Sequence, residues 1–308
     1  MRLATFVDPT SKEPRLGAAA GERILDLGKA GGLPSSMLGF LQAGPAAWDE
    51  ARRLLAKPPE AACLPLAGLA FKAALPNPAA LKDCFAFEAH AKAGAERRKE
   101  PFPEEWYELP AYFKCNPREI YGDGDEIPWP SYTRKLDYEC EIACVLGTRG
   151  RDLSIEEAAK HIFGYMIFND FSARDIQRKE RALGMGPTKG KDFANAFGPW
   201  LVTADEVDPR ALELKAFVNG ELWSQGRFKD QHWGFPLIVS HVSQEETVYP
   251  GDVFGSGCFH GGCGMDLDRW IQPGDVVELE VPLLGRLRNT IGRPKAQVRL
   301  DYRERRQA

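Results

Sequence analysis

Apolar and polar positions alternate through residues 136–147 (Leu-Asp-Tyr-Glu-Cys-Glu-Ile-Ala-Cys-Val-Leu-Gly). This period of two, with many β-formers, predicts a strand, and in a strand residues i and i+2 share a face. Glu139 and Glu141 therefore project together. Further strands are predicted at 3–7, 23–27 and 164–169, and short helices at 36–41 and 48–55. Ser154 followed by Glu157 is a capping box and predicts a helix. A second helix is predicted at 172–179, where Arg174 and Gln177, three apart, share a face. Asn219-Gly220 predicts a tight hairpin. Pro-Gly-Asp turns at 250–252 and 273–275 each lead into a Val-headed strand, and 285–291 continues the β pattern. Proline-rich residues 57–78 read as a linker. The chain is thus expected to be mainly β with α+β elements: a small N-terminal α+β domain at 1–70, then a β-rich domain at 71–308.

Composition narrows the function. With 308 residues, 44% hydrophobic and 27% charged, a sizeable core is available. A net charge of −4 gives no electrostatic case for nucleic acid or an anionic membrane, and neither partner is expected. No apolar run approaches the ~18 residues of a membrane span. The polar start, Met-Arg-Leu-Ala-Thr-Phe-Val-Asp, does not read as a signal peptide. Seven cysteines without a Cys-x-x-Cys pair argue for reduced thiols, so a cytoplasmic protein is expected. The five histidines show no zinc spacing, and no Walker loop or dinucleotide fingerprint is present.

The glutamate pair carries the first chemistry. Like charges this close repel unless a cation lies between them. A third carboxylate, Asp170, ends the apolar run 162–168 and its neighbours. All-oxygen donors suit Mg²⁺, Mn²⁺ or Ca²⁺. The competing reading is a solvated outer face, with Cys140, Ile142 and Cys144 packed inward. Two other segments each allow two readings. Charged residues 97–105 are a surface loop or a lid, and the glycine-dense loop 255–264, with Cys258, His260 and Cys263, is a turn or a ligand cradle.

An ordered set of motifs then becomes recognisable: Asp137-Tyr-Glu-Cys-Glu, Asn169-Asp-Phe-Ser-Ala-Arg-Asp-Ile-Gln, Lys189-Gly-Lys-Asp-Phe and Gly198-Pro-Trp-Leu-Val-Thr. The Val-Asn-Gly-Glu hairpin, Pro273-Gly-Asp-Val-Val-Glu-Leu-Glu and Gly285-Arg-Leu-Arg-Asn complete it. The succession, across about residues 83–293, resembles the fumarylacetoacetate hydrolase family. The resemblance implies a mixed β-sandwich roll, usually paired in a homodimer, with a divalent metal (Mg²⁺, Mn²⁺ or Ca²⁺) on Glu139, Glu141 and Asp170. It adds Asp83 to the metal site and makes His90, seven residues later, the catalytic histidine. Arg174, Gln177 and a lysine, Lys191 in preference to Lys189, match the substrate contacts, with Phe85 beside them. Cys258 stands where the family's Ser-Gly-Thr loop places a substrate-touching threonine. Asp266 is the nearest acid to orient His90.

Such a site is expected to act on a small oxo acid. The first reading is hydrolysis of a C–C bond in a 1,3-diketo acid of the fumarylacetoacetate or acylpyruvate type. In that reaction the metal stabilises the developing enolate, His90 activates water and Asp266 holds the imidazole. Lys191, Arg174 and Gln177 would receive the substrate's charge. The alternative is decarboxylation or isomerisation of an unsaturated oxo acid, such as oxaloacetate or 2-hydroxyhepta-2,4-diene-1,7-dioate. Structural roles compete at single residues. Arg174 could simply pair with Asp170 or Asp175, and Lys191 could be a solvated loop lysine. Cys258 lacks a basic neighbour in sequence and reads as a packing or contact residue.

Overall fold

The computed structural model describes residues 1–296. Its main sheet runs in the order Cys63–Pro65, Arg23–Asp26, Pro14–Ala20, Arg2–Val7, Leu201–Thr203, Ile162–Asp170, Cys140–Leu146, Asp252–Gly255, Ala80–Cys84 and Tyr112–Lys114. Neighbours along this path are antiparallel except Asp252–Gly255 beside Ala80–Cys84. A second sheet joins Glu221–Arg227, Glu213–Val218, Val276–Val281, Gly285–Ile291 and Glu126–Ile127. The molecule is therefore dominated by sheets, as expected. No helix among the described residues is long and apolar enough to cross a membrane.

The strand Cys140–Leu146 is buried along its whole length. Cys140, Ile142, Cys144 and Leu146 pack with Leu214, Ala216, Leu279 and Leu287 of the second sheet, forming the interior of a sandwich. Ala143 and Val145, on the opposite face, pack in a cluster with Met37, Phe40 and Leu54 of the N-terminal helices. Both faces are covered, so the solvated-face reading of Glu139 and Glu141 fails: both glutamates are buried.

Several element boundaries differ from expectation for local reasons. The strand at 23–27 stops at Asp26, whose carboxylate accepts the Lys29 N–H at 2.9 Å and caps Leu27–Gly31. The helix expected at 48–55 runs Pro45–Ala56, with proline in its first turn, where its missing N–H costs nothing. Residues 57–78 are not a free linker. Cys63–Pro65 forms the sheet edge, a place that tolerates proline. Val7 donates its N–H to Ala70 O at 2.9 Å, and Lys72 to Thr5 O at 2.9 Å. The helix expected from 172 begins at Arg174 and runs to Ala182, because Ser172 and Ala173 pair with Asp137 and Leu136. The capping box of Ile155–His161 forms as read. The hairpin also forms, with Asn219 and Gly220 at positive φ (53° and 80°) between Glu213–Val218 and Glu221–Arg227.

Candidate active site

Four carboxylates converge where three strands of the main sheet end. Asp83 lies in Ala80–Cys84, Glu141 in Cys140–Leu146, and Asp170 closes Ile162–Asp170. Glu139 sits one residue ahead of its strand, in a bridge with Cys263. One oxygen from each lies within 4.8 Å of the others, and all four side chains are buried. Gly257 donates its N–H to Glu141 Oε2 at 2.9 Å and to Asp83 Oδ1 at 3.2 Å. Its φ of 74°, and a would-be Cβ only 2.1 Å from Cys84 O, restrict that position to glycine.

Burial in the company of like charge raises most of these acids. It pushes Glu141 well up, with Asp83, Glu139 and Asp170 adding to the effect. Asp170 also rises by burial, against the pull of Lys191. Asp83 is pushed up to about 6, again by burial against Lys191. Glu139 goes the other way, to about 2, because Arg174 and Lys191 together outweigh its burial. The Lys191 ammonium hydrogen-bonds both Glu139 and Asp170 and is itself buried. Glu141 Oε1 and Asp170 Oδ1 are buried with no hydrogen-bond partner among the described residues. Orphaned oxygens in an all-carboxylate cluster fit a hard divalent cation such as Mg²⁺, Mn²⁺ or Ca²⁺.

Arg174 heads its helix and turns into the same site. Its Nε donates to Asp137 Oδ2 at 2.8 Å, Nη2 to Glu139 Oε1 at 2.7 Å and Nη1 to Gln177 Oε1 at 3.1 Å. It does not pair with Asp170 or Asp175 as the structural alternative supposed. Asp175 instead accepts from Arg134 N at 3.1 Å. Asp137, to which sequence assigned no role, also accepts from Gly264 N (2.8 Å) and Met265 N (3.0 Å), tying the glycine loop to Arg174. Lys189 lies elsewhere, exposed, with its ammonium 5.3 Å from the Tyr132 ring centre.

His90 is on the buried face of helix Glu88–Arg98. Its Nδ1 is 2.8 Å from Asp266 Oδ2, and the exposed Phe85 ring stands edge-on at 5.7 Å. Gly261 N donates to the same Asp266 oxygen at 2.9 Å, and Arg97 reaches its Oδ1 at 3.3 Å. Burial works to raise Asp266, but the His90 hydrogen bond and charge, with Gly261 and Arg97, hold it well below the usual carboxylate range. Arg97, expected only as part of an exposed segment, thus touches the site. Cys258 is buried beside Cys263 and His90. The geometry offers a cation-binding cluster, an arginine and a lysine for anions, and a carboxylate-oriented imidazole.

Known proteins bear on this arrangement. Residues 80–292 match the family model described as "Fumarylacetoacetate (FAA) hydrolase C-terminal". The human mitochondrial oxaloacetate tautomerase FAHD2A is 31% identical over 305 residues, covering 94% of this chain and 91% of the relative. The oxaloacetate tautomerase YisK of Bacillus subtilis is 34% identical over 188 residues, 60% of this chain and 62% of that protein. In structure, the fumarylacetoacetate hydrolase of Exiguobacterium antarcticum superposes with a TM-score of 0.76 at 27% identity, over 95% of this chain and 99% of the other.

Proposed function

The chain belongs to the fumarylacetoacetate hydrolase family, and from that premise we propose a divalent-cation-dependent enzyme that moves a proton beside the carbonyl of a small 2-oxo dicarboxylic acid. Oxaloacetate keto–enol tautomerisation is the first choice. The observation that carries the proposal is the His90–Asp266 pair, at 2.8 Å, set against the carboxylate cluster. The full-length resemblance to an oxaloacetate tautomerase selects among the proton transfers that such a pair could perform.

The residues divide the task. Glu139, Glu141, Asp170 and Asp83 would hold the cation, which when bound supplies a Lewis acid for the oxo acid's oxygens. Asp266 fixes the proton on His90 Nδ1, leaving Nε2 as the acceptor facing substrate. Nε2 takes a proton from the carbon next to the carbonyl and delivers one to oxygen, so the site ends as it began. Lys191 serves as counter-charge to Glu139 and Asp170. With a cation there, its ammonium is available to a substrate carboxylate. Arg174, which shares Glu139 with Lys191, and Gln177 supply further donors.

Hydrolysis of a 1,3-diketo acid, first choice from the sequence and its family resemblance, becomes the second reading. The same oriented imidazole favours it, since water activation asks for that geometry. The test uses metal-loaded protein with oxaloacetate, acetylpyruvate and fumarylacetoacetate, following enol absorbance and acid products. Enol–keto exchange above the uncatalysed rate supports tautomerisation. Cleavage of a diketo acid without it would move the protein to the second reading.

The reading extends to surroundings. All seven cysteines are free thiols, which suits a reducing compartment such as the cytoplasm. A homodimer, implied by the family, is part of the same proposal, and sedimentation would read it directly.

A further inference from the structure

Beside the carboxylates lies a second group of potential ligands with different chemistry. One ring nitrogen of His90 and the sulfurs of Cys258 and Cys263 lie within 4.8 Å of one another, and all three residues are buried. From this cluster we infer a second cation site, selective for thiophilic ions such as Zn²⁺, formed by His90, Cys258 and Cys263, with Asp266 holding the imidazole from behind. Occupying it would remove His90 from proton transfer.

Ligand chemistry separates the two sites. Carboxylate oxygens attract Mg²⁺, Mn²⁺ and Ca²⁺, while two thiols and an imidazole attract zinc and other soft or borderline ions. Ligand atoms around a tetrahedral zinc are about 3.5–3.8 Å apart, so the cluster needs to contract by only about 1 Å. Asp266 already engages Nδ1 at 2.8 Å. That leaves Nε2 as the ring nitrogen with a free lone pair, in the carboxylate–histidine–metal arrangement that orients ligating imidazoles. Three protein ligands leave a fourth position for water.

The loop is shaped for this approach. A Cβ at Gly262 would lie 2.7 Å from Cys258 Sγ, so bare backbone lets that sulfur sit where it does. Cys263 is fixed by its bridge to Glu139. Without a cation, burial and then the neighbouring Cys263 push the Cys258 thiol well up. That makes Cys258 a poor nucleophile and leaves metal ligation as its chemistry. Each sulfur that binds releases its proton to water.

The binding test does not depend on the proposed reaction; only the inhibition arm rests on the role given to His90. Protein in excess Mg²⁺ is titrated with Co²⁺, whose sulfur-to-metal charge-transfer absorption reports thiolate ligation and is silent for oxygen ligands. One equivalent should saturate the band. Cys258→Ser and Cys263→Ser should each lose it, with Mn²⁺ binding at the carboxylates retained as the check of fold. In the activity arm, Zn²⁺ should inhibit the Mg²⁺-loaded enzyme, with inhibition weakened on the order of 10–100-fold in Cys263→Ser. Absence of the band in the unaltered protein, or an undiminished band in both serine variants, would overturn the site. A normal band without inhibition would keep the site and remove its claim on catalysis.

Discussion

A methyl group on Gly255 would come within 2.3 Å of Asp83 Oδ1. The two residues are partners across a parallel junction of the main sheet. The glycine is thus what lets an aspartate turn inward between two close strands. Phe168 closes the other side, 2.7 Å from the same imagined carbon. Gly255→Ala is expected to displace the Asp83 carboxylate, weaken Mn²⁺ binding by about 10–100-fold and cost about 1–3 kcal/mol in stability through overpacking. Calorimetric titration together with a denaturant melt checks both. Unchanged Mn²⁺ affinity would remove Asp83 from the cation site.

Lys191 makes the second prediction. Its ammonium is the buried counter-charge of Glu139 and Asp170. Lys191→Met leaves Asp170 without its counter-charge and Glu139 with Arg174 alone, which should destabilise the metal-stripped protein by about 3–5 kcal/mol. Saturating Mg²⁺ should restore much of that loss, because a cation on the same carboxylates replaces the missing charge. Thermal melts of both proteins, with Mg²⁺ and with chelator, read the result. A loss that Mg²⁺ does not reduce would show that Lys191 acts apart from the cation site.

The carboxylates also predict a pH dependence. In the metal-stripped fold Asp83 is raised to about 6, by burial first, against an unfolded value of about 3.9. Between these values the folded chain holds a proton that the unfolded chain has released, so stability falls as pH rises from about 4 to about 6. Glu141 and Asp170 are shifted in the same direction and extend the decline upward. Mg²⁺ should flatten or reverse the slope, since it favours the ionised carboxylates of the folded state. Melting temperatures across this window decide it: parallel curves with and without Mg²⁺ would contradict the coupling.

Much of the site was legible because it rides on local patterns. Glu139 and Glu141 are two apart on an alternating run and Asp170 ends a second, apolar one, while the family resemblance implied Asp83 and His90, with Asp266 as the nearest acid. The fold brings these six close together, which is a matter of placement; their roles rest on the experiments described. Asp137 was visible in the same motif, two residues before Glu139. Its task is not local, however: it joins Arg174 to the loop at Gly264 and Met265, and only the fold makes that link. Arg97 was hidden for the same reason, since its partner Asp266 lies 169 residues away. Strand existence was similarly readable while strand pairing was not. Nothing in residues 2–7 announces that Arg2 and Leu3 will pair with Val202 and Leu201 and carry the main sheet into the N-terminal segment.

Asp266 carries the last prediction. Its Oδ2 binds His90 Nδ1 at 2.8 Å and also receives the Gly261 N–H, so this one carboxylate positions both the imidazole and the loop. Asp266→Asn keeps the side-chain shape but can present an amide N–H to Nδ1, favouring the tautomer with its proton on Nε2, where the substrate's proton should go. The turnover rate should fall about 10²–10⁴-fold while Mn²⁺ binding at the carboxylates persists. Stability should separate the two proteins as well. Burial acts to raise Asp266, but the His90 interaction outweighs it and lowers the group in the folded state. Its contribution is therefore complete above the unfolded value near 3.9 and disappears as pH falls through the lower folded value. The variant should be less stable than the parent near neutrality, and the gap should narrow below about pH 4. A full turnover rate in Asp266→Asn would show that His90 needs no carboxylate. A rate lost together with Mn²⁺ binding would instead make Asp266 a support of the whole site.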